Sequence, residues 1–287
     1  MRERLAWPRS WRACAALVAT LALASVAPAP AASDPIEELR RAVLPFRGVG
    51  YTDVKSYRTE LRLPDEESNG AVPLVEMWRA PADYGLRAAK KTEPAMVRSW
   101  AIFLEPLYVA RASILDADLE KGAKRLRQVA KVKASAGDAG VRILEIVMPA
   151  LPDTTLPGFL REASRFEAHV DAAGHLLSFH AELRPVQGRK PETLDLRCTW
   201  KDARAPQPSL CVWTLPDGGV VRVDTTFRDE RGRRLPGTRH VVFPSRYDPG
   251  DTEEIRIEYG SYDFKIPSDS FQGKGAFRYD ENGLVAD

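Results

Sequence analysis

Apolar and polar residues alternate along most of this chain, and a period of two is the signature of a half-buried strand. The alternation starts after Gly48-Val49-Gly50. Tyr51, Asp53, Lys55, Tyr57, Thr59, Leu61 and Leu63 share one face of a long strand candidate. The polar stretch Asp65–Gly70 reads as a turn, and Val72–Arg79 and Tyr84–Lys90 as two further strands. Arg125–Ala134 and Val141–Met148 flank Ser135–Gly140 as a hairpin, and Arg165–Asp171 and Leu176–Leu183 flank Ala172-Ala173-Gly174 as another. Leu194, Leu196, Cys198 and Trp200 alternate with polar residues, as do Val221, Val223, Thr225 and Phe227, and Ile255, Ile257 and Tyr259. Consecutive strands with a polar face and short turns predict an antiparallel sheet with one wet side.

The apolar side of such a sheet needs a cover, and two segments can supply it. Asp34 as N-cap and Pro35 at the first helical position open a helix. Ile36, Leu39, Val43 and Leu44 fall on one face of it, and Pro45 ends it. Met96–Ile114 is apolar on several sides. Trp100, Phe103, Leu104, Leu107 and Tyr108 can share a helix face, and Pro106 divides the segment into a short, largely buried helix pair.

The N-terminus reads differently. Arg2, Arg4, Arg9 and Arg12 form a basic head, Ala13–Ala27 is small and apolar, and Ala29-x-Ala31 fits a signal-peptidase site. The apolar run is shorter than the roughly 20 residues a spanning helix needs. Residues 1–31 are therefore expected to be a signal peptide, 32–273 a single β domain and 274–287 a loose tail, in a periplasmic or secreted protein. The whole chain has 42 basic and 40 acidic residues. Without the leader 38 and 39 remain, so the pI of 8.4 reflects the basic head. A near-neutral chain without a clustered positive field gives no reason to expect nucleic acid as a partner.

Cys14 lies in the leader, at the wrong end for a lipidated cysteine. Cys198 and Cys211 remain, an even pair in an oxidising compartment. Pairing them across an antiparallel ladder puts Leu196 opposite Trp213 and Leu194 opposite Leu215. The two Cα atoms would then be about 4.5–5.5 Å apart, close enough for a structural disulfide. The C-x-x-C spacing of a catalytic redox pair is absent.

No nucleophile elbow, dinucleotide fingerprint, phosphate loop or H-E-x-x-H motif occurs, so no catalytic residue, metal ligand or cofactor is expected. His169, His175 and His180 surround one hairpin and read as solvated strand histidines. Lys121, Lys124, Arg125, Arg127, Lys131 and Lys133 are the densest basic cluster. They read as a wet face, with an anionic headgroup or acidic partner surface as the sharper alternative.

Several stretches carry a family resemblance. They are Tyr51-x-Asp53-Val54-x-Ser56-Tyr57, Trp78-Arg79-Ala80-Pro81, Phe166-x-Ala168-x-Val170-Asp171-x-x-Gly174-His175-Leu176, Val242-Phe243-Pro244-Ser245, and Ile255-x-Ile257-x-Tyr259-Gly260-x-Tyr262 leading to Ile266-Pro267 and Phe271. In this order, after a short amphipathic helix, they resemble the lipoprotein carrier superfamily. The group includes the periplasmic outer-membrane lipoprotein chaperone and an anti-sigma-factor regulator of similar fold. The chain departs from that pattern in its Cys198–Cys211 hairpin and in the length of its second half. The resemblance implies an α+β fold, an open curved antiparallel β-sheet (a half-barrel) wrapped over a few helices. It also implies a non-enzymatic carrier that binds an acyl chain or lipoprotein in an apolar cup. Trp78, Trp100, Phe103, Leu107 and Tyr108 are the expected lipid-binding residues. The alternative is an envelope sensor that binds a membrane-protein partner.

Overall fold

The computed structural model describes residues 34–65, 70–80, 83–88, 111–185, 192–202, 204–245, 248, 250–265, 276–280 and 283–286. Helix α1 (Pro35–Val43) buries Ile36, Leu39, Ala42 and Val43, the face expected from their spacing. A 3-10 turn, Leu44–Phe46, follows at Pro45. Three strands come next, β1 (Ser56–Asp65), β2 (Gly70–Arg79) and β3 (Asp83–Ala88), then helix α2 (Arg111–Val129). After β4 (Lys131–Ala136) and β5 (Arg142–Val147) comes a short helix, α3 (Gly158–Glu162). The remaining strands are β6 (Ala163–Val170), β7 (Leu176–Leu183), β8 (Thr193–Thr199), β9 (Leu210–Thr214), β10 (Val220–Glu230), β11 (Arg233–Pro244), β12 (Thr252–Asp263), β13 (Ala276–Asp280) and β14 (Gly283–Ala286).

All strands join one open antiparallel sheet in the order β14-β13-β3-β2-β1-β12-β11-β10-β9-β8-β7-β6-β5-β4. The fold is the expected α+β half-barrel, a curved open sheet over a few helices. Its core is the inward phase of the strands, including Leu61 and Leu63 on β1, Val241 and Phe243 on β11, and Ile255 and Ile257 on β12. Helix α1 packs on α2 and touches β4 and β6, and α3 packs on α2 and β6. The helices thus cover the β4–β6 end of the concave face.

Four expectations need correcting. The first strand starts at Ser56, because Gly48 (φ +53°) and Gly50 (φ +84°) turn the chain and Val54 closes a turn onto Tyr51. Lys121–Val129 is helical, so the strand expected over Arg125–Ala134 begins only at Lys131. Leu115, Leu119, Gly122 and Leu126 recur at helical spacing on its buried side. The expected loose tail supplies β13 and β14, with β13 pairing along β3. Cys198 and Cys211 face each other in the expected register, with Leu196 opposite Trp213, yet both are free thiols.

Candidate functional site

Between the helix-covered end and β3, the concave face is roofed by the strap of residues 44–50 and by the loop between β8 and β9. Both glycines of the strap are there because side chains do not fit. A Cβ on Gly48 would meet the Trp78 ring at 2.8 Å, and one on Gly50 would meet the Pro206 carbonyl oxygen at 2.6 Å. Gln207 ties strap, loop and sheet together. Its Nε2 donates to the carbonyls of Pro45 (3.0 Å) and Gly48 (2.9 Å), and its Oε1 accepts from Arg239 Nη2 (3.2 Å).

Arg239 sits in the inward phase of β11, two residues before Val241. Its Nη1 donates to the Tyr259 hydroxyl at 3.1 Å, and the guanidinium lies 5.4 Å from the centre of the Tyr259 ring. Burial works against its charge, but the oxygens of Tyr259 and the charge of Glu76 outweigh it and raise its pKa. Glu76 occupies the inward phase of β2 and accepts from the Tyr57 hydroxyl at 2.6 Å. Tyr57 stacks on Trp78 at 5.8 Å and meets Tyr262 edge-on at 5.5 Å.

A bulge makes this aromatic group possible. Thr59 faces Tyr262 while Leu61 faces Tyr259, so β12 carries one residue more than β1 between the two pairs. Without it, Tyr259 and Tyr262 would point to opposite sides. With it both are buried, at 4% and 1% exposure.

Beside this cluster lies a cavity of about 50 Å³, lined in part by Phe46, Gly48, Gln207, Trp213, Val223 and Arg239. At about 10–15 Å³ per water it has room for roughly three to five waters. Cys211, Tyr84, Pro208 and Thr225 complete the lining. Three enclosed donors have no acceptor among the described residues: Nε of Arg239 and the indole N–H groups of Trp213 and Trp78. Two of the three side chains line the cavity. Leaving such a donor unpaired costs about 1–3 kcal/mol. The cavity therefore has largely apolar walls, while the three donors are themselves enclosed.

Of the expected lipid-binding residues, Trp78 is fully buried beneath the strap. Trp100, Phe103, Leu107 and Tyr108 lie outside the described residues. The sequence reading missed Arg239, Gln207 and Glu76. The available signal was a charged residue in the apolar phase of a strand: Arg239 two before Val241, and Glu76 between Leu74 and Trp78. The basic cluster lies on the outer face of α2 and on β4, where Arg125 pairs with Asp153 at 2.7 Å. Each histidine has its own carboxylate: His169 Glu167, His175 Asp171, His180 Asp195 and His240 Glu254, at 2.8–3.1 Å. Among the described residues no group of three His, Cys, Asp or Glu side chains is placed to hold a metal.

No protein-family model matches the sequence, and no curated protein matches it. Among the solved structures similar to it are three at 8% identity. One is a DUF1329 family protein from Desulfovibrio piger ATCC 29098 (83% of this chain, 97% of that chain, TM-score 0.31). Another is a LolA superfamily protein from Nitrosomonas europaea (85% and 99%, TM-score 0.32). The third is a domain described as an outer membrane lipoprotein-sorting protein from Vibrio parahaemolyticus (80% and 93%, TM-score 0.30). The fold assignment itself rests on the strand order and register given above.

Proposed function

We propose that this protein is an exported, non-enzymatic carrier that binds a lipid or a lipoprotein acyl chain in the cup under its strap. The observation that carries the reading is the cavity beneath residues 44–50, with its largely apolar walls on the concave sheet face. At about 50 Å³ it takes the end of a ligand. An acyl chain needs the cover to move off the sheet, and each CH₂ it then buries contributes about 0.8 kcal/mol. The expected signal peptide supports export. In an oxidising compartment Cys198 and Cys211, already opposed, would close into a disulfide. Trp100, Phe103, Leu107 and Tyr108 are proposed to meet the chain.

The test is a thermal melt of the leaderless protein with fatty acids, acylglycerols and a detergent-solubilised lipopeptide. Native mass spectrometry of protein purified from its own envelope accompanies it. A ligand at a hundred times its Kd should stabilise the fold by about 2.7 kcal/mol. If no lipid class raises the melting temperature and none copurifies, the carrier reading fails, and binding to a membrane-protein partner takes its place.

A further inference from the structure

We propose that the open edge of β4 takes up an extended, acidic segment of a partner protein as a further strand of the sheet. The edge is separate from the cavity under the strap, none of whose lining residues lies on β4. The proposal therefore does not depend on the lipid-binding reading.

The register shows which backbone groups are open. Gly137 N–H donates to the Val141 carbonyl at 2.7 Å, and Met148 N–H to the Ser164 carbonyl at 2.9 Å. In an antiparallel ladder, pairs that exchange hydrogen bonds alternate with pairs that do not. Counted back from Gly137, the backbone groups of Ser135, Lys133 and Lys131 aim at β5. Counting from Met148 gives the same phase, since Ile146 and Leu144 then aim at β6. The N–H and C=O groups of Val132, Ala134 and Ala136 therefore aim away from the sheet. Among the described residues no strand lies beyond them, and β4 is exposed along almost its full length. An added strand is the ligand whose own donors and acceptors match such a row.

Side chains decide which strand fits. Val132 and Ala134 stand opposite the buried Ile146 and Leu144, and Lys131 and Lys133 point to the other face. Glu145, across from Lys133, lies 2.9 Å from Arg165. On helix α2, Arg125 and Arg127 have the carboxylates of Asp153 and Glu37. Lys121, Lys124, Lys131 and Lys133 are exposed and have none among the described residues. Directly opposed residues of two strands share a face. Carboxylates two positions apart on the incoming strand would thus meet Lys131 and Lys133, with a small apolar residue between them opposite Val132. A second copy of β4 would bring lysine against lysine instead. An anionic bilayer can answer the lysines but not the row of backbone groups.

The probe is a capped, fluorescently labelled hexapeptide of alternating glutamate and valine. It is titrated into the leaderless protein and followed by fluorescence anisotropy. Two further forms, N-methylated at every valine or at every glutamate, keep the charge and remove the donors of one peptide edge. A lysine–valine peptide and phosphatidylglycerol vesicles are the remaining arms. Ala134→Pro removes an outward N–H and takes no hydrogen bond from β5. The double variant Lys131→Glu, Lys133→Glu reverses the charge. Circular dichroism checks that both fold, and the methylated peptides make the backbone comparison on the native protein if Ala134→Pro does not.

The glutamate–valine peptide should bind, and at least one methylated form should lose binding. Ala134→Pro should weaken the complex about tenfold or more. Charge reversal should weaken it about tenfold and turn the preference to the lysine–valine peptide. Failure of the glutamate–valine peptide to bind the native protein overturns the proposal, and capture of the vesicles in that case points to a membrane surface instead. Undiminished binding of both methylated forms, or of the parent peptide to folded Ala134→Pro, overturns strand addition and leaves only a contact between charges. The lipid-binding reading stands in each of these cases.

Discussion

Tyr57, Tyr259 and Tyr262 are the residues on which the centre of the cup turns, and their hydroxyls have almost no water around them. Burial, the first cause in each case, raises all three phenol pKa values above the ordinary 10.0. Glu76 adds to the effect on Tyr57, while Arg239 pulls Tyr259 the other way. The folded pKa exceeds the unfolded one, so the stabilisation is complete below pH 10 and is lost as pH rises through the folded values. In an alkaline spectrophotometric titration, three of the eight tyrosines should stay protonated well past pH 10 and ionise together as the fold melts. Smooth titration of all eight near pH 10 would contradict this cluster. None of it was legible from alternation alone. Period two places Tyr259 inside and Tyr262 outside, and only the bulge opposite Glu60 brings them together.

At the scale of elements, helix α2 is held close to α3 by a residue that helices usually avoid. A Cβ on Gly122 would stand 2.8 Å from Pro157 Cδ and 3.1 Å from Leu160 Cδ1. Asp118, one turn earlier and buried, accepts from the backbone N–H of Phe159 at 2.6 Å and so caps α3 from outside. Gly122→Ala gains about 1 kcal/mol of helix propensity but overpacks a rigid ring at a cost of about 1–3 kcal/mol. A urea titration should show a lower midpoint with an unchanged slope, and a higher midpoint would refute the close contact. This glycine also explains why the helix was read as a strand. It interrupts the apolar row Leu115, Leu119, Leu126, and Leu126, Ala130, Val132 and Ala134, at even spacing, then mimic a strand. The β8–β9 hairpin was read correctly, register included, because its apolar and cysteine face is unbroken. Its thiols are free, and burial pushes the Cys198 thiol up, with the Cys211 contact adding to that. Mild oxidation of the folded protein should remove two hydrogens from its mass. By the chain-entropy model the bridge is worth roughly 3 kcal/mol. Two thiols that stay alkylatable after oxidation and denaturation would exclude the bridge.

Over the whole molecule, the sheet is open, and an open sheet has edges to defend. Strand β4 is exposed along almost its full length and carries Lys131 and Lys133 on one side. Lysines on an edge strand oppose pairing with another copy. Replacing both with valine should give concentration-dependent association by sedimentation velocity, while the native protein stays unassociated at the same concentration. No change in sedimentation would leave the two lysines without that role. The layout of the molecule was legible to a useful degree, since a run of alternating segments can only stack antiparallel under a cover. The strand order was not, because it depends on pairings between distant residues that local patterns do not encode.

The pairing of β1 with β12 sets when a growing chain can close its sheet. Strand β1 is made first and finds one of its two neighbours among residues 252–263. The other part of the sheet, β4 to β12, has no join to β1–β3 until that strand arrives. A nascent chain therefore cannot close its cup early. The join between the two parts of the sheet is made only when residues 252–263 have been synthesised, so the native shape is committed late.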